Sequence, residues 1–278
     1  MRTLLIPALV LFAVNVFAQG RAAIPGITGN PYASAIVMDA ETGEPLFTKN
    51  AIAPVYPASV LKLMDLYVIL DLVRAGKLSL TDMVTASEEA YRMGGSQVYL
   101  DVGEQFTVDD LLYALMIQSA NDAAVALAEH VAGSKEAFVR MMNSKAKELG
   151  MTSTSFQSVH GLPPAKGQEP DVTTARDIAI LSRALVQLPD AMKYTSTPER
   201  NFRGTNFVMQ THNGLLKRVS GCDGLKTGFY KLAGYSIAAT AQRDGKRVIA
   251  VVMGSESKNA RDNAAVDLIE EGFRALGR

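Results

Sequence analysis

A single cysteine, Cys222, stands in a chain of 278 residues, so no intramolecular disulfide can form. Its position deep in the chain also rules out a lipid-attachment cysteine near the N-terminus. Histidine is nearly as scarce. His130, His160 and His212 fall in no HExxH pattern, and one cysteine cannot make a CxxC, so a zinc-type hydrolase lacks its ligands. Neither a metal nor another cofactor is expected. An excess of charge of one sign is missing too: Lys plus Arg and Asp plus Glu number 28 each, which leaves no global field to draw in nucleic acid or an anionic membrane. The one long apolar run, Leu4 to Ala18, is broken by Pro7 and Asn15 and is short of the ~20 residues that span a bilayer. It follows Met-Arg-Thr and ends in Val16-Phe17-Ala18, with small residues at the two positions a signal peptidase inspects. Residues 1–18 therefore read as a signal peptide of an exported protein, an uncleaved anchor being the alternative.

The rest suits a soluble globular protein, with 48% hydrophobic and 20% charged residues and no internal repeat. Residues 19–31 are rich in Gly, Pro and Ala and read as a tether, which leaves 32–278 as the folded part. Its two ends look β-rich. Ala33 to Asp39 and Pro45 to Lys49 predict two strands joined by a turn, and Gly234 to Ala241 with Lys246 to Met253 predict a hairpin on Asp244-Gly245. Between them the pattern is helical. Residues 58–75 are apolar nearly all round, predicting a buried central helix stopped by Gly76. Thr107 with Asp110 predicts a capped helix through Leu111 to His130, Thr174 with Asp177 one reaching about Leu188, and Ser134 one reaching Glu148. Val266, Ile269, Phe273 and Leu276 share a face of a last helix that should pack on the sheet.

Pro57-Ala-Ser59-Val-Leu-Lys62 puts a hydroxyl at the start of the buried helix and an amine three residues on, on the same face. Burial disfavours the ammonium, so Lys62 can accept the Ser59 proton near neutral pH, and the helix N-terminus offers N–H groups to an oxyanion. SxxK should occur about once by chance in such a chain. Ser144 with Lys147 and Ser255 with Lys258 repeat it, and both read as solvated surface. Ser119-Ala-Asn121 lies inside an apolar segment. Residues two apart do not face each other on a regular helix, so a functional pair there requires a break. Lys226-Thr227-Gly228 precedes a strand-like run, where Lys and Thr on a sheet edge can hold a carboxylate while the backbone pairs with a peptide.

These three motifs in this order resemble those of the penicillin-binding proteins of the D-alanyl-D-alanine carboxypeptidase family. Ser119 to Gly133, Asp223 to Gly228 and Ala233-Gly-Tyr235 are similar to that family at greater length, and the likeness runs from about Tyr32 to Phe273. The resemblance implies an α/β (α+β) fold of β-lactamase/transpeptidase type, with a five-stranded antiparallel sheet flanked by helices plus a helical subdomain. It implies Ser59 as nucleophile, Lys62 as base and Ser119 as proton relay to the leaving D-alanine. Asn121 would hold the substrate amide, Lys226 would supply positive charge, Thr227 beside Gly228 would bind the carboxylate, and the N–H groups of Ser59 and Phe229 would form the oxyanion hole. Peptidoglycan stem peptides would be the substrates and β-lactams the inhibitors, in the periplasm or on the outer face of a bacterial envelope. No second C-terminal domain and no C-terminal membrane anchor is expected. His212 stands where some members carry Arg, either as a protonated substitute or as a structural residue. Competing readings are an endopeptidase on cross-links, a non-turnover β-lactam sensor, and a class A β-lactamase. The last would use Glu169-Pro170, although Thr173 stands in place of its Asn.

Overall fold

The computed structural model describes residues 31–204 and 207–277. The expected signal peptide and all but the last residue of the expected tether lie outside them. The main sheet has five strands: β1 (Ser34–Asp39), β2 (Pro45–Lys49), β7 (Cys222–Tyr230), β8 (Gly234–Arg243) and β9 (Lys246–Ser255). Their order is β2-β1-β9-β8-β7, all antiparallel, so β7 is an edge. Asp244 and Gly245 have φ of 49° and 78°, the positive pair that a two-residue turn needs to match the strand twist.

Both faces of the sheet are covered, which explains why its strands read as continuous apolar runs and not as an alternation. Ala35, Val37, Ala250 and Val252 pack under α8 (Lys258–Leu276) with Ile269 and Phe273. The last helix thus lies on the sheet as its apolar face predicts. The intervening residues Ile36, Met38, Ile249 and Val251 face the larger core of the helical layer.

That layer is built around α1 (Lys62–Arg74), with α2 (Glu88–Tyr91), α3 (Val108–Tyr113), α4 (Asn121–Ala132), α5 (Lys135–Glu148), α6 (Ala175–Leu185) and α7 (Ala191–Thr195). Leu63, Met64, Leu66, Val68 and Ile69 of α1 are at most 1% exposed, so the helix is central. The side chains of Thr107, Ser134 and Thr174 each accept the N–H three residues on, capping α3, α5 and α6. The α6 helix stops at Leu185, short of Leu188. Two small hairpins complete the layer: β3 (Met83–Thr85) with β4 (Gln105–Thr107), and β5 (Glu199–Phe202) with β6 (Phe207–Gln210). The second interrupts a region whose pattern reads as helical.

Two expected helices are not continuous. Ala58–Leu61 is a 3-10 turn and α1 proper begins at Lys62, because Ala58 takes φ of 47°. The segment from Val108 passes from α3 into a π-helical turn, Ala114–Gln118, and breaks at Ser119 with φ of 63° before α4 starts at Asn121. The widened turn and the left-handed residue supply the break that a Ser119–Asn121 pair requires.

Candidate functional site

Ser59 sits on the 3-10 turn that leads into α1, at the point where β7 crosses. Strand and turn touch: a Cβ on Gly228 would lie 2.7 Å from Pro57 O, 2.9 Å from Val60 N and 3.0 Å from Ser59 N. Only glycine permits that approach. Ala58 pays for it with its left-handed φ, a cost of ~1–2 kcal/mol for a residue with a Cβ. The backbone N–H of Ser59 is thereby brought against the strand that carries Phe229.

Lys62 is completely buried behind Ser59. Its Nζ donates to Asn121 Oδ1 and to His160 O, both at 2.7 Å, and lies 3.3 Å from Ser59 Oγ. A neutral amine has two N–H groups and one lone pair. The two short bonds occupy both hydrogens and leave the lone pair for the serine hydroxyl. Burial lowers the Lys62 pKa to about 8, against the opposing pull of Asp65, Asp171 and Asp122. Asp65, one turn further along α1, is 2% exposed and neither oxygen has a hydrogen-bond partner. Burial pushes its carboxyl well up, which favours the neutral acid.

The break before α4 delivers Ser119 to the cleft and Asn121 to the lysine. Ser119 is 2% exposed, and its Oγ has no hydrogen-bond partner. Asn121 Nδ2 donates to Gly94 O at 2.7 Å and its backbone N–H to Ser96 O at 2.8 Å. With Oδ1 on Lys62, one N–H of the amide remains for a substrate. Besides the N–H left for the substrate amide it is expected to hold, Asn121 positions Lys62. Next to it, Asp122 accepts from the N–H groups of Val98, Leu100 and Ala123. Arg203 grips the same loop from outside through Val98 O, Tyr99 O and Glu104. The wall carrying Ser96 is thus tied down on both sides.

Ser59, Ser119, Thr227, Gly228 and Phe229 line one cleft of about 260 Å³, together with Ser96, His212, Tyr235, Lys258 and Arg261. Phe229 is 51% exposed and stacks on Tyr235 with centroids 4.0 Å apart, a flat apolar rim. Lys226 is buried, and its Nζ donates to Thr227 O at 3.1 Å. Burial, with Lys62 and Arg261 nearby, pushes its pKa well down. Burial thus works against the positive charge expected of Lys226. A further basic side chain on the cleft is Arg261, 3% exposed at the start of α8, whose guanidinium donates to Asp262 Oδ1 at 2.8 and 2.6 Å. His212 is not the protonated substitute near neutral pH. Burial, then Lys226, Lys258 and Arg261, lower its pKa to about 4.

Two further expectations change. Lys258 is not a bystander, because it lines the cleft, while Ser255 is fully buried with an unpartnered Oγ. Ser144 and Lys147 are indeed exposed. Glu169 is exposed on the wall of a separate cavity shared with His160 and Asp171, one that Ser59 does not line. The carboxylate that a class A β-lactamase needs beside its nucleophile is not supplied from there. Arg261 and Ser96 had no signal in the sequence, since neither belongs to a short motif.

The family model for D-alanyl-D-alanine carboxypeptidase, peptidase S11, matches residues 28–257. The D-alanyl-D-alanine carboxypeptidase DacF of Bacillus subtilis is 36% identical over 275 residues, covering 98% of this chain and 70% of the relative. DacC of Escherichia coli, a protein of the same description, is 39% identical over 275 residues, covering 96% of this chain and 66% of its own. The chain thus spans about two thirds of the length of these curated relatives. Among solved structures, penicillin-binding protein D2 of Listeria monocytogenes in its ampicillin-bound form superposes with a TM-score of 0.79 at 33% identity, over 88% of this chain and 98% of that one.

Proposed function

The chain belongs to the D-alanyl-D-alanine carboxypeptidase family of serine peptidases, and from that membership we propose that it removes the terminal D-alanine from peptidoglycan stem peptides through a Ser59 acyl-enzyme. The observation that carries this reading is the arrangement of Lys62, whose two N–H groups are held by Asn121 and His160 O so that its lone pair meets Ser59. Lys62 takes the Ser59 proton as Oγ attacks the carbonyl between the two D-alanines. The N–H groups of Ser59 and Phe229 stabilise the oxyanion. The proton passes by way of Ser119 to the departing D-alanine nitrogen, and water then releases the shortened peptide. Thr227, with Arg261 and Lys258 along the same cleft, suits the terminal carboxylate. The apolar N-terminal run supports export, so the reaction belongs in the periplasm or on the outer face of the envelope, with 32–278 as the catalytic domain.

The strained amide of a β-lactam resembles acyl-D-Ala-D-Ala, so these compounds should acylate Ser59 and leave slowly. The test is free D-alanine released from diacetyl-Lys-D-Ala-D-Ala, with Ser59→Ala as control. Loss of release and of β-lactam label in the mutant is expected, and equal labelling of the mutant would refute the assignment.

A pH dependence follows from Lys62. Below its pKa of about 8 the amine is an ammonium that donates to Ser59 Oγ and cannot accept a proton. Acylation should fall by about tenfold per pH unit below that value. A profile flat from pH 6 to 8 would show that Lys62 is not the base.

A further inference from the structure

The carbonyl that holds Lys62 belongs to a loop pinned at its base, where Ser155 and Val172 exchange two backbone hydrogen bonds of 2.9 Å. Inside that loop, the buried Asp171 ties down the turn 157–161. Its Oδ1 accepts the backbone N–H groups of Gln157 at 2.6 Å and Ser158 at 2.9 Å, and its Oδ2 accepts the Ser158 hydroxyl at 2.7 Å. Ser158 Oγ in turn accepts the Gly161 N–H at 2.9 Å. His160 stands between these two anchored residues, with its O 2.7 Å from Lys62 Nζ. Asp171 makes no bond to Lys62 itself; its bonds are all to the turn.

Three donors meet the Asp171 carboxyl, the pattern of an anion. Burial raises its pKa, while those donors and Lys62 lower it. Three acids act on Lys62, namely Asp65, Asp171 and Asp122, each raising a pKa that burial lowers. Asp65 on α1 has no hydrogen-bond partner and burial favours its neutral form, while Asp122 on α4 is bonded to the loop of Val98 and Leu100. His160, His212 and Lys226 also feel Lys62, and burial lowers the pKa of all three. On its other side Asp171 shares a cavity with Lys135 and Glu136 of α5 and with Glu169, none of which is hydrogen-bonded to the turn.

We propose that Asp171 is a positioning residue for acylation, which holds the turn that presents His160 O to Lys62 and whose negative charge sets how firmly that amine keeps a proton. The proposal rests on the reading of Ser59 and Lys62 given above. With His160 O in place, one N–H of the neutral amine is occupied and the lone pair stays on Ser59 Oγ. With the turn loosened, the amine is free to point a hydrogen at the serine instead. The same turn carries Gly161, which lies against the backbone of Ala58, so the nucleophile and its base are set by one clamp.

Single-turnover acylation by a fluorescent penicillin, followed from pH 6 to 10 with Ser59→Ala as the blank, separates the two roles. Asp171→Asn keeps an oxygen for the two N–H groups but removes the charge. Its acid limb should move down by about half to one pH unit, roughly three- to tenfold in rate on that limb. Asp171→Ala leaves three donors without their acceptor, and its limiting rate should fall by about 10²-fold while the half-saturating penicillin concentration changes little. Should that variant not fold, Ser158→Ala cuts only the link to the Gly161 N–H and should slow the limiting step by about tenfold without moving the acid limb. Glu169→Gln removes an exposed charge from the same cavity wall and should match the wild type. An acid limb left in place by Asp171→Asn, or moved equally by Glu169→Gln, overturns the charge role. Wild-type limiting rates in Asp171→Ala or Ser158→Ala, with only Tm lowered, overturn the positioning role. Undiminished labelling of Ser59→Ala refutes the nucleophile itself, and this proposal with it.

Discussion

Lys62→Met should slow acylation of Ser59 by about 10²–10⁴-fold, the usual worth of a general base, while the protein remains folded. Methionine fills much the same volume but offers no lone pair to the serine. It also leaves Asn121 Oδ1 and His160 O without their donor, at ~1–3 kcal/mol each. Removal of a desolvated amine from the core offsets part of that loss. Lys62→Arg sharpens the test, because a guanidinium keeps a cation in place but is never deprotonated. Single-turnover β-lactam acylation, with Tm as a fold check, reads both variants. Arginine as inactive as methionine is the expected result, and recovery with arginine would mean that Lys62 acts as a charge and not as a base.

Gly161→Ala should be nearly as damaging, although the residue touches no substrate. Its φ is 73°, and a Cβ there would lie 2.2 Å from Ala58 O, 2.4 Å from Ala58 C and 3.0 Å from Ser59 N. These are backbone atoms of the nucleophile turn, so the clash can be relieved only by moving Ser59 or His160, whose carbonyl holds Lys62. Overpacking and strain of ~2–4 kcal/mol should lower Tm by roughly 5–10 °C. A displacement of the nucleophile by an ångström costs about 10²-fold in rate. Gly103→Ala is the control, since it has φ of 82° but nothing within 4 Å of the added atom. Similar rates in the two variants would place the effect in backbone strain alone and not in the contact with the turn.

Much of this architecture is legible in the chain because local chemistry dictates it. Asp244-Gly245 admits one kind of turn, and Thr107, Thr174 and Ser134 cap helices wherever the chain goes next. The break at Ser119 could be required from spacing alone. What could not be read depends on contacts between distant segments. Arg261 reaches the cleft because the chain leaves β9 beside β8 and turns directly into α8. Nothing around Arg261 marks it as different from Arg274, which is exposed at the other end of the same helix. Ser255-x-x-Lys258 has the form of the true motif and was indistinguishable from surface until the sheet placed it. The electrostatics were hidden for the same reason. Burial among distant segments lowers the pKa of Lys226 and His212, and cations from other elements, Lys62 and Arg261 among them, add to it.

The strand order also governs when the protein can come into being. The central partner of β1 is β9, so Ser34 pairs with Met253, and about 200 residues separate the two halves of one ladder. Until β9 is available, β1 and β2 form a lone hairpin, and α1 has only part of the surface it is buried against. The helical layer can gather early on local contacts, but its sheet-facing side stays uncovered until the last strands arrive. The side of the cleft that β7 supplies beside Ser59 can therefore close only when the last strands join the sheet. A chain interrupted before that point carries the nucleophile and its base in sequence but has no active site.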